Sequence, residues 1–202
     1  MILLWNFYNL DFFYLNKDFT KKQDFIEHKR GIDMKDMTFG FIGLGLIGGS
    51  IAKAIRAYHP DVRMIAYMRS QDTLQKAVDE GVINEACSEV GEQFAACDLL
   101  FLCAPVETNA RMLPKTCLLT DVGSTKTYIH EKVDALGLTG QFIGGHPMAG
   151  SEKTGYENAK THLIENAYYI ITPGTGVPED TVNEFVALVS SLKALPLVLD
   201  YR

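Results

Sequence analysis

The chain has 202 residues, of which 47% are hydrophobic and 22% are charged, and its formal net charge is −6. This composition is typical of a globular protein and excludes a disordered chain, a collagen-like chain and a heptad rod. The length allows one complete domain and at most part of a second, and the negative charge argues against a general affinity for nucleic acid or anionic membranes.

The first 37 residues are rich in aromatic side chains and differ in composition from the rest of the chain. Asn6, Asn9 and Asp11 interrupt the apolar run too early for a transmembrane span, and the segment lacks the basic start and small-residue cleavage site of a signal peptide. We interpret residues 1–37 as a non-catalytic or poorly ordered extension, or as the product of an upstream start codon, since Met34 and Met37 stand just before the first clear strand. The domain is therefore predicted to cover residues 38–202.

A glycine-rich turn follows the first predicted strand, Thr38–Ile42. The turn reads G-x-G-x-x-G and leads into a segment with apolar residues at helical spacing, which is the context that a dinucleotide-binding motif requires. Gly43 allows the tight turn, Gly45 lets the backbone approach a pyrophosphate, and Gly48 lets the helix pack on the strand. The predicted cofactor-binding residues are Gly43, Leu44, Gly45, Leu46, Ile47 and Gly48. The alternative is a glycine-rich turn without a ligand.

The second predicted strand, Val62–Tyr67, ends at Met68, Arg69 and Ser70. NAD-binding sites usually place an acidic residue here to bind the ribose 2′-hydroxyl, and this chain has Met68 instead. Arg69 and Ser70 offer donors to a 2′-phosphate, which favours NADP over NAD. The alternative is that Arg69 only covers the adenine face, as it could with either cofactor.

The remaining elements predict an α/β fold of the Rossmann type, doubly wound around a mostly parallel sheet. A helix is predicted over Asp72–Glu80, and further strands over Asp98–Cys103, Cys117–Asp121 and Gln141–Gly144. Ligands bind beyond the carboxyl ends of such strands, and every unusual loop of this chain lies there. Residues Cys103, Ala104, Pro105 and Val106, which follow one buried strand, are therefore further candidates for cofactor contact.

His146 is the candidate catalytic residue, because it directly follows the predicted strand Gln141–Gly144 in a loop rich in glycine and proline. A histidine at the ligand crevice titrates near neutral pH and can take a proton from a substrate hydroxyl. The other four histidines have no such setting and are interpreted as surface or packing residues. The four cysteines form no C-x-x-C pair, so we predict buried free thiols in a reducing, cytoplasmic compartment, with no metal site.

Five ordered motifs, GLGLIGGS, CAPVETN, TDVGSTK, GGHPMAGSEKTGY and ENAYYIITP, resemble the prephenate/arogenate dehydrogenase family of tyrosine biosynthesis. The resemblance covers about Thr38 to Arg202. It implies an NAD- or NADP-dependent oxidative decarboxylation of prephenate to 4-hydroxyphenylpyruvate, or of arogenate to tyrosine.

The resemblance also implies roles for individual residues. His146 would accept or polarise the hydroxyl proton, and Ser124 would bond near that hydroxyl and the nicotinamide. Ser151 and Glu152 would line the substrate mouth. Lys126 could hold a strand-end carboxylate such as Asp121, approach the substrate, or simply be solvated at the start of a helix.

Two departures from the family pattern qualify this interpretation. Family members continue into a helical domain that forms the homodimer and completes the substrate site, and we expect this chain to hold the cofactor half only. The connection from Pro105 to Asp121 is also about two helical turns shorter than the family usually has. A truncated or decayed gene product is therefore a further interpretation.

Three functional hypotheses remain open at this point. The first is an enzyme that acts on a small molecule, prephenate or arogenate, with no nucleic acid or membrane partner. The second is a dinucleotide-binding fragment without turnover, which predicts exposed apolar surface at the C-terminal edge. The third is a different β-hydroxyacid-type dehydrogenase, against which the GGHPMAGSEK loop argues.

Overall fold

A computed structural model describes residues 34–104 and 117–202. Most of the predicted N-terminal extension, the candidate residues Pro105 and Val106, and most of the shortened connection lie outside the described residues. The domain boundary near residue 37 stays a prediction. Met34 is already buried against the core, three residues before it.

Eight strands form one sheet in the order β3-β2-β1-β4-β5-β6-β7-β8. The strands are β1 (Thr38–Ile42), β2 (Arg63–Tyr67), β3 (Glu85–Cys87), β4 (Leu99–Leu102), β5 (Leu118–Asp121), β6 (Phe142–Pro147), β7 (Tyr168–Pro173) and β8 (Leu195–Val198). All neighbouring pairs are parallel except β6 with β7. The predicted Rossmann-like, mostly parallel sheet is thus confirmed.

Five α-helices cover the two faces of this sheet in the described part of the chain. They are α1 (Leu46–Tyr58), α2 (Gln71–Asp79), α3 (Glu92–Ala95), α4 (Lys126–Ala135) and α5 (Glu179–Ser191), and two short 3-10 helices span Thr139–Gln141 and Tyr156–Asn158. Successive strand residues point to opposite faces. In β4, Leu99 and Phe101 therefore belong to the core cluster that includes residues of α1, α2 and α5, while Leu100 and Leu102 belong to the cluster that includes residues of α3 and α4. Burial on both faces explains why β4 is entirely apolar.

The strand that carries His146 is longer than the sequence predicts. The apolar pattern ends at Gly144, but β6 continues to Pro147 because it pairs with the antiparallel β7, with His146 opposite Ile170. His146 therefore lies within the end of a strand and does not follow it. A residue held in a ladder has a better defined position than one in a loop.

Exposed apolar side chains are concentrated around β8. Leu195, Leu197, Val198 and Leu199 are each between 41% and 48% exposed. The expectation of apolar surface at the C-terminal edge is confirmed.

The four cysteines are free thiols, as predicted. Cys87, Cys97 and Cys117 are buried and Cys103 is half-buried. Within residues 34–104 and 117–202, no helix has the length and apolar character that crossing a membrane needs, and no group of three His, Cys, Asp or Glu side chains is placed to hold a metal ion.

Candidate active site

The predicted crevice lies at the carboxyl ends of β1 and β4, where the strand order reverses. β2 and β3 lie on one side of β1, and β4 and the later strands lie on the other. β1 pairs with β2 on one side and with β4 on the other. In doubly wound sheets, ligands bind at such a switch point. The glycine turn after β1 lies there, against the residues that follow β4.

The three motif glycines differ in their backbone conformation and in the space that an added Cβ atom would find. Gly43 has a φ of +99°, and a Cβ atom there would lie 3.0 Å from the carbonyl carbon of Cys103. A Cβ on Gly48 would lie 2.5 Å from the carbonyl oxygen of Gly43, so the helix could not pack this closely with any side chain at that position. A Cβ on Gly45 would meet no atom of the described residues within 4 Å. Gly43 and Gly48 are thus required by the fold, whereas the space beside Gly45 is open to a ligand.

Helix α1 directs its N-terminus into this open space. Gly45 is its N-cap and offers no side-chain bond, and the first turn holds no acidic residue. The first N–H groups of a helix have no acceptor within the helix and carry a partial positive charge. The residues present therefore fit a bound pyrophosphate.

The other candidate cofactor residues differ in what they can offer. Leu44 has no exposed surface, whereas Leu46, Ile47, Cys103 and Ala104 are half-buried.

At the end of β2, Arg69 is exposed and forms no hydrogen bond or ion pair with any residue that the structure describes. The hydroxyl of Ser70 is engaged at the N-cap of α2, where it accepts a hydrogen bond from the N–H of Thr73 at 3.4 Å.

His146 is half-buried, and its Nδ1 atom is buried without a hydrogen-bond partner among the described residues. Burial and the positive charge of Lys126 lower the pKa of His146 below its ordinary value of 6.5, against weaker opposing effects of the Val122 backbone and Asp121. The imidazole is therefore neutral at neutral pH and able to accept a proton.

Lys126 holds Asp121, which was one of the roles considered for it. Its Nζ donates to the two carboxylate oxygens of Asp121 at 2.5 and 2.6 Å and to the carbonyl oxygen of Gly145 at 2.6 Å. Lys126 also begins α4, but its side chain is only 10% exposed, so it is not a solvated lysine.

The candidate substrate residues other than His146 are exposed. Ser124 lies in the loop between β5 and α4. Ser151 and Glu152 lie in the segment after β6, where the Ser151 hydroxyl accepts a hydrogen bond from the N–H of Lys153 at 3.1 Å. The structure thus leaves these three side chains facing solvent at or beyond the carboxyl ends of β5 and β6.

Sequence analysis missed the contact that fixes the segment after His146. Tyr156 is buried and packs on α1, where a Cβ on Gly49 would lie 2.8 Å from its ring. Its hydroxyl donates to Glu80 at 2.8 Å, and Lys53 lies 4.5 Å from its ring centroid and 3.3 Å from the Glu80 carboxylate. The sequence signal for this contact was the pair of adjacent glycines, Gly48 and Gly49, because glycines in a helix allow another element to approach closely. The contact ties the GGHPMAGSEKTGY segment to the helix that begins at the glycine turn.

We expect Tyr156→Phe to lower the free energy of unfolding by about 1 kcal/mol at neutral pH, since Glu80 is 36% exposed and solvent weakens the lost bond. The Tyr156 hydrogen bond, followed by the charge of Lys53, lowers the pKa of Glu80. A lowered carboxyl pKa gives stability that is present above the unfolded pKa and is lost as the pH falls through the folded one. The difference between wild type and variant should therefore shrink in acid, as measured by urea unfolding.

The control for this prediction is Tyr128→Phe, which removes the hydroxyl of a 40% exposed tyrosine. It should leave the unfolding free energy unchanged at both pH values. A Tyr156→Phe effect that is equal at neutral and acid pH would contradict the role given to Glu80.

Taken together, the sheet order, the glycine turn and the helix N-terminus facing open space define a nucleotide-binding domain of the dehydrogenase type. Residues 51–197, from within α1 to within β8, match the family model described as prephenate dehydrogenase, nucleotide-binding domain. The chain belongs to this family of oxidoreductases.

Individual relatives agree with the family match. The chain is 39% identical over 170 residues to prephenate dehydrogenase of Bacillus subtilis, which covers 80% of this chain and 46% of that protein. Among solved structures, prephenate dehydrogenase of Aquifex aeolicus with hydroxyphenyl propionate and NAD+ is similar at a TM-score of 0.74 and 26% identity, covering 82% of this chain and 60% of that one. Synechocystis arogenate dehydrogenase is similar at a TM-score of 0.72 and 31% identity, covering 81% and 60%. The chain spans about half the length of the curated relatives it matches.

Proposed function

We propose that the protein is the cofactor-binding part of a prephenate or arogenate dehydrogenase and carries its proton acceptor. The observation that supports this most is the setting of His146, a half-buried imidazole at the carboxyl edge that also holds the glycine turn. Its buried Nδ1 has no hydrogen-bond partner among the described residues, and burial and Lys126 lower its pKa. In the reaction, prephenate and NAD(P)+ give 4-hydroxyphenylpyruvate, carbon dioxide and NAD(P)H. Arogenate would give tyrosine in the same way.

The protein residues have separate tasks in this reaction. When bound, the nicotinamide supplies the hydride acceptor. His146 takes the proton from the ring hydroxyl as the hydride leaves the same carbon, and it returns the proton to that oxygen when the ring becomes aromatic. Ser124 would hold that hydroxyl by a hydrogen bond, and Ser151 and Glu152 would form the rim of the substrate site. Loss of carbon dioxide makes the ring aromatic, which provides the driving force.

NADP is the proposed cofactor. Met68 provides no carboxylate to repel a 2′-phosphate, and Arg69 is exposed without a partner among the described residues, so its guanidinium is available. Because Ser70 already caps α2, its hydroxyl contributes less than the sequence suggests.

Arg69→Ala should weaken NADP+ binding about tenfold or more and leave NAD+ binding unchanged, because a charge-assisted hydrogen bond contributes about 1.5 kcal/mol or more. Isothermal titration of both nucleotides measures this. Arg63→Ala is the matched control, since Arg63 is exposed at the opposite end of β2 and pairs with Glu85. An equal loss for NAD+ and NADP+ would instead assign Arg69 to the adenine face.

The direct test of the proposed function is to add prephenate or arogenate to the chain with NAD+ and, separately, with NADP+. Formation of reduced nicotinamide supports turnover by the chain itself. The second candidate function is a dinucleotide-binding module without turnover of its own, which the exposed apolar side chains of β8 favour. It predicts nucleotide binding with no reduction. Absence of both binding and reduction would contradict both candidates.

A further inference from the structure

The backbone N–H and C=O of Gly145, the residue before His146, are bound by side chains and not by a neighbouring strand. β6 pairs with β5 only through Phe142 and Ile143, because β5 ends at Asp121. Toward β7, Met148 donates its N–H to the Tyr168 carbonyl oxygen. Peptide groups alternate between the two edges of a strand, so Gly145 directs its N–H and C=O toward the side that β5 has left.

Asp121 and Lys126 take the place of the missing strand. The Asp121 Oδ1 atom accepts the N–H of Gly145 at 3.1 Å, and the Lys126 ammonium donates to the Gly145 carbonyl oxygen at 2.6 Å. An N–H or C=O left unpaired at this buried position would carry a desolvation cost. Both backbone groups of the residue next to His146 are therefore fixed by one ion pair.

This ion pair has little capacity left for a ligand. Asp121 accepts a further hydrogen bond from the N–H of Gly123 at 2.9 Å, and the Asp121 and Lys126 side chains are only 2% and 10% exposed. Lys126 already has three acceptors. Lys126 can therefore affect the reaction only through neighbouring residues, and His146 is the neighbour that is proposed to accept the proton.

We propose that Asp121 and Lys126 are positioning residues for His146, which fix the place of its imidazole and keep that imidazole free of a proton. The inference rests on the proposed function for the role of His146 as proton acceptor, while the geometry stands without it. The pair acts in two ways: hydrogen bonds to Gly145 set the backbone, and the ammonium opposes a second positive charge nearby.

The charges around His146 favour this second effect. Lys126, from α4, is the charged group that disfavours the imidazolium, and Asp121, from β5, partly offsets it. From β7, the uncharged hydroxyl of Tyr169 would lie 3.0 Å from a Cβ on Gly145. Because the effect of Lys126 is the larger, removing both charges should still favour the protonated imidazole.

The test is an NMR titration of the His146 ring, which requires no turnover. The His146 signal is assigned by its loss in His146→Asn. In Lys126→Met the titration should move to higher pH than in wild type. In the double variant Asp121→Asn with Lys126→Met, which leaves no unpaired buried charge, it should move in the same direction by less. Lys132→Met, an exposed lysine on the same helix, is the control and should leave it unchanged.

A kinetic measurement tests the positional effect separately. If the chain turns over, the double variant should lower kcat about tenfold or more with an unchanged KM for the nucleotide, because misplacement of a catalytic group affects the chemical step. If Lys126→Met does not fold, the His146 titration of the double variant decides the test. The proposal is overturned if His146 in a folded variant titrates as in wild type. A moved titration without turnover in the wild type would support the pair and favour the second candidate function, a dinucleotide-binding module without turnover of its own.

Discussion

Gly45→Asp is expected to abolish dinucleotide binding without unfolding the domain. Among residues 34–104 and 117–202, no atom would lie within 4 Å of an added Cβ on Gly45, and the φ of −82° at this position suits any residue. Aspartate is among the best N-cap residues and interacts favourably with a helix N-terminus, so the melting temperature should be unchanged or higher. The same carboxylate would occupy the space and repel the charge of a pyrophosphate.

The loss of affinity should exceed about a hundredfold, or about 2.7 kcal/mol, in isothermal titration with NADP+. Gly140→Asp makes the same change in charge at an exposed position before β6, where the nearest atom to an added Cβ is 3.8 Å away. Because Gly140 lies at the amino end of β6, the Gly140→Asp variant should bind the nucleotide as wild type does. Normal binding by folded Gly45→Asp would show that the nucleotide does not approach this turn.

His146→Asn should lower the rate of nicotinamide reduction by about 10²- to 10⁴-fold, which is the usual contribution of a positioned general base. Nucleotide affinity should be unaffected, because the glycine turn is intact. Since burial and Lys126 lower the pKa of His146, the acid limb of the wild-type pH profile should lie below pH 6.5 and should be missing from the residual activity of the variant.

The control for this variant is His162→Asn, which alters an exposed histidine on the turn before β7. It should keep the wild-type rate and the wild-type pH profile. A rate for His146→Asn close to that of wild type would assign the proton acceptor to another group.

The strongest sequence patterns predicted the fold well because they reflect burial on both faces of a sheet. The predicted and observed limits of β1 are the same, and β4 and β5 agree to within one residue at each end. The three residues of β3 (Glu85–Cys87) have no such pattern, and they were missed because a short edge strand needs only one neighbour. β8 contains a proline and exposes most of its residues, so nothing in its sequence distinguished it from a loop.

The site was predictable where chemistry is local and unpredictable where it depends on distant residues. The roles of Gly43 and Gly48 follow from the motif and agree with the spacing around them. The hydrogen bond between Tyr156 and Glu80 joins residues 76 positions apart, and no period or motif connects them. The contact of Lys126 with Gly145 depends on where β5 ends relative to β6, which only the sheet register shows.

The measurement that tests the central claim most directly is amide hydrogen–deuterium exchange of the chain with and without NADP+. The claim is that the dinucleotide lies at the carboxyl ends of β1 and β4, on the same edge of the sheet as His146 at the end of β6. We therefore expect slower exchange at Leu46, Ile47 and Gly48 and in the residues directly after β4. Slower exchange confined to another surface, or no change at saturating nucleotide, would contradict this placement of the site.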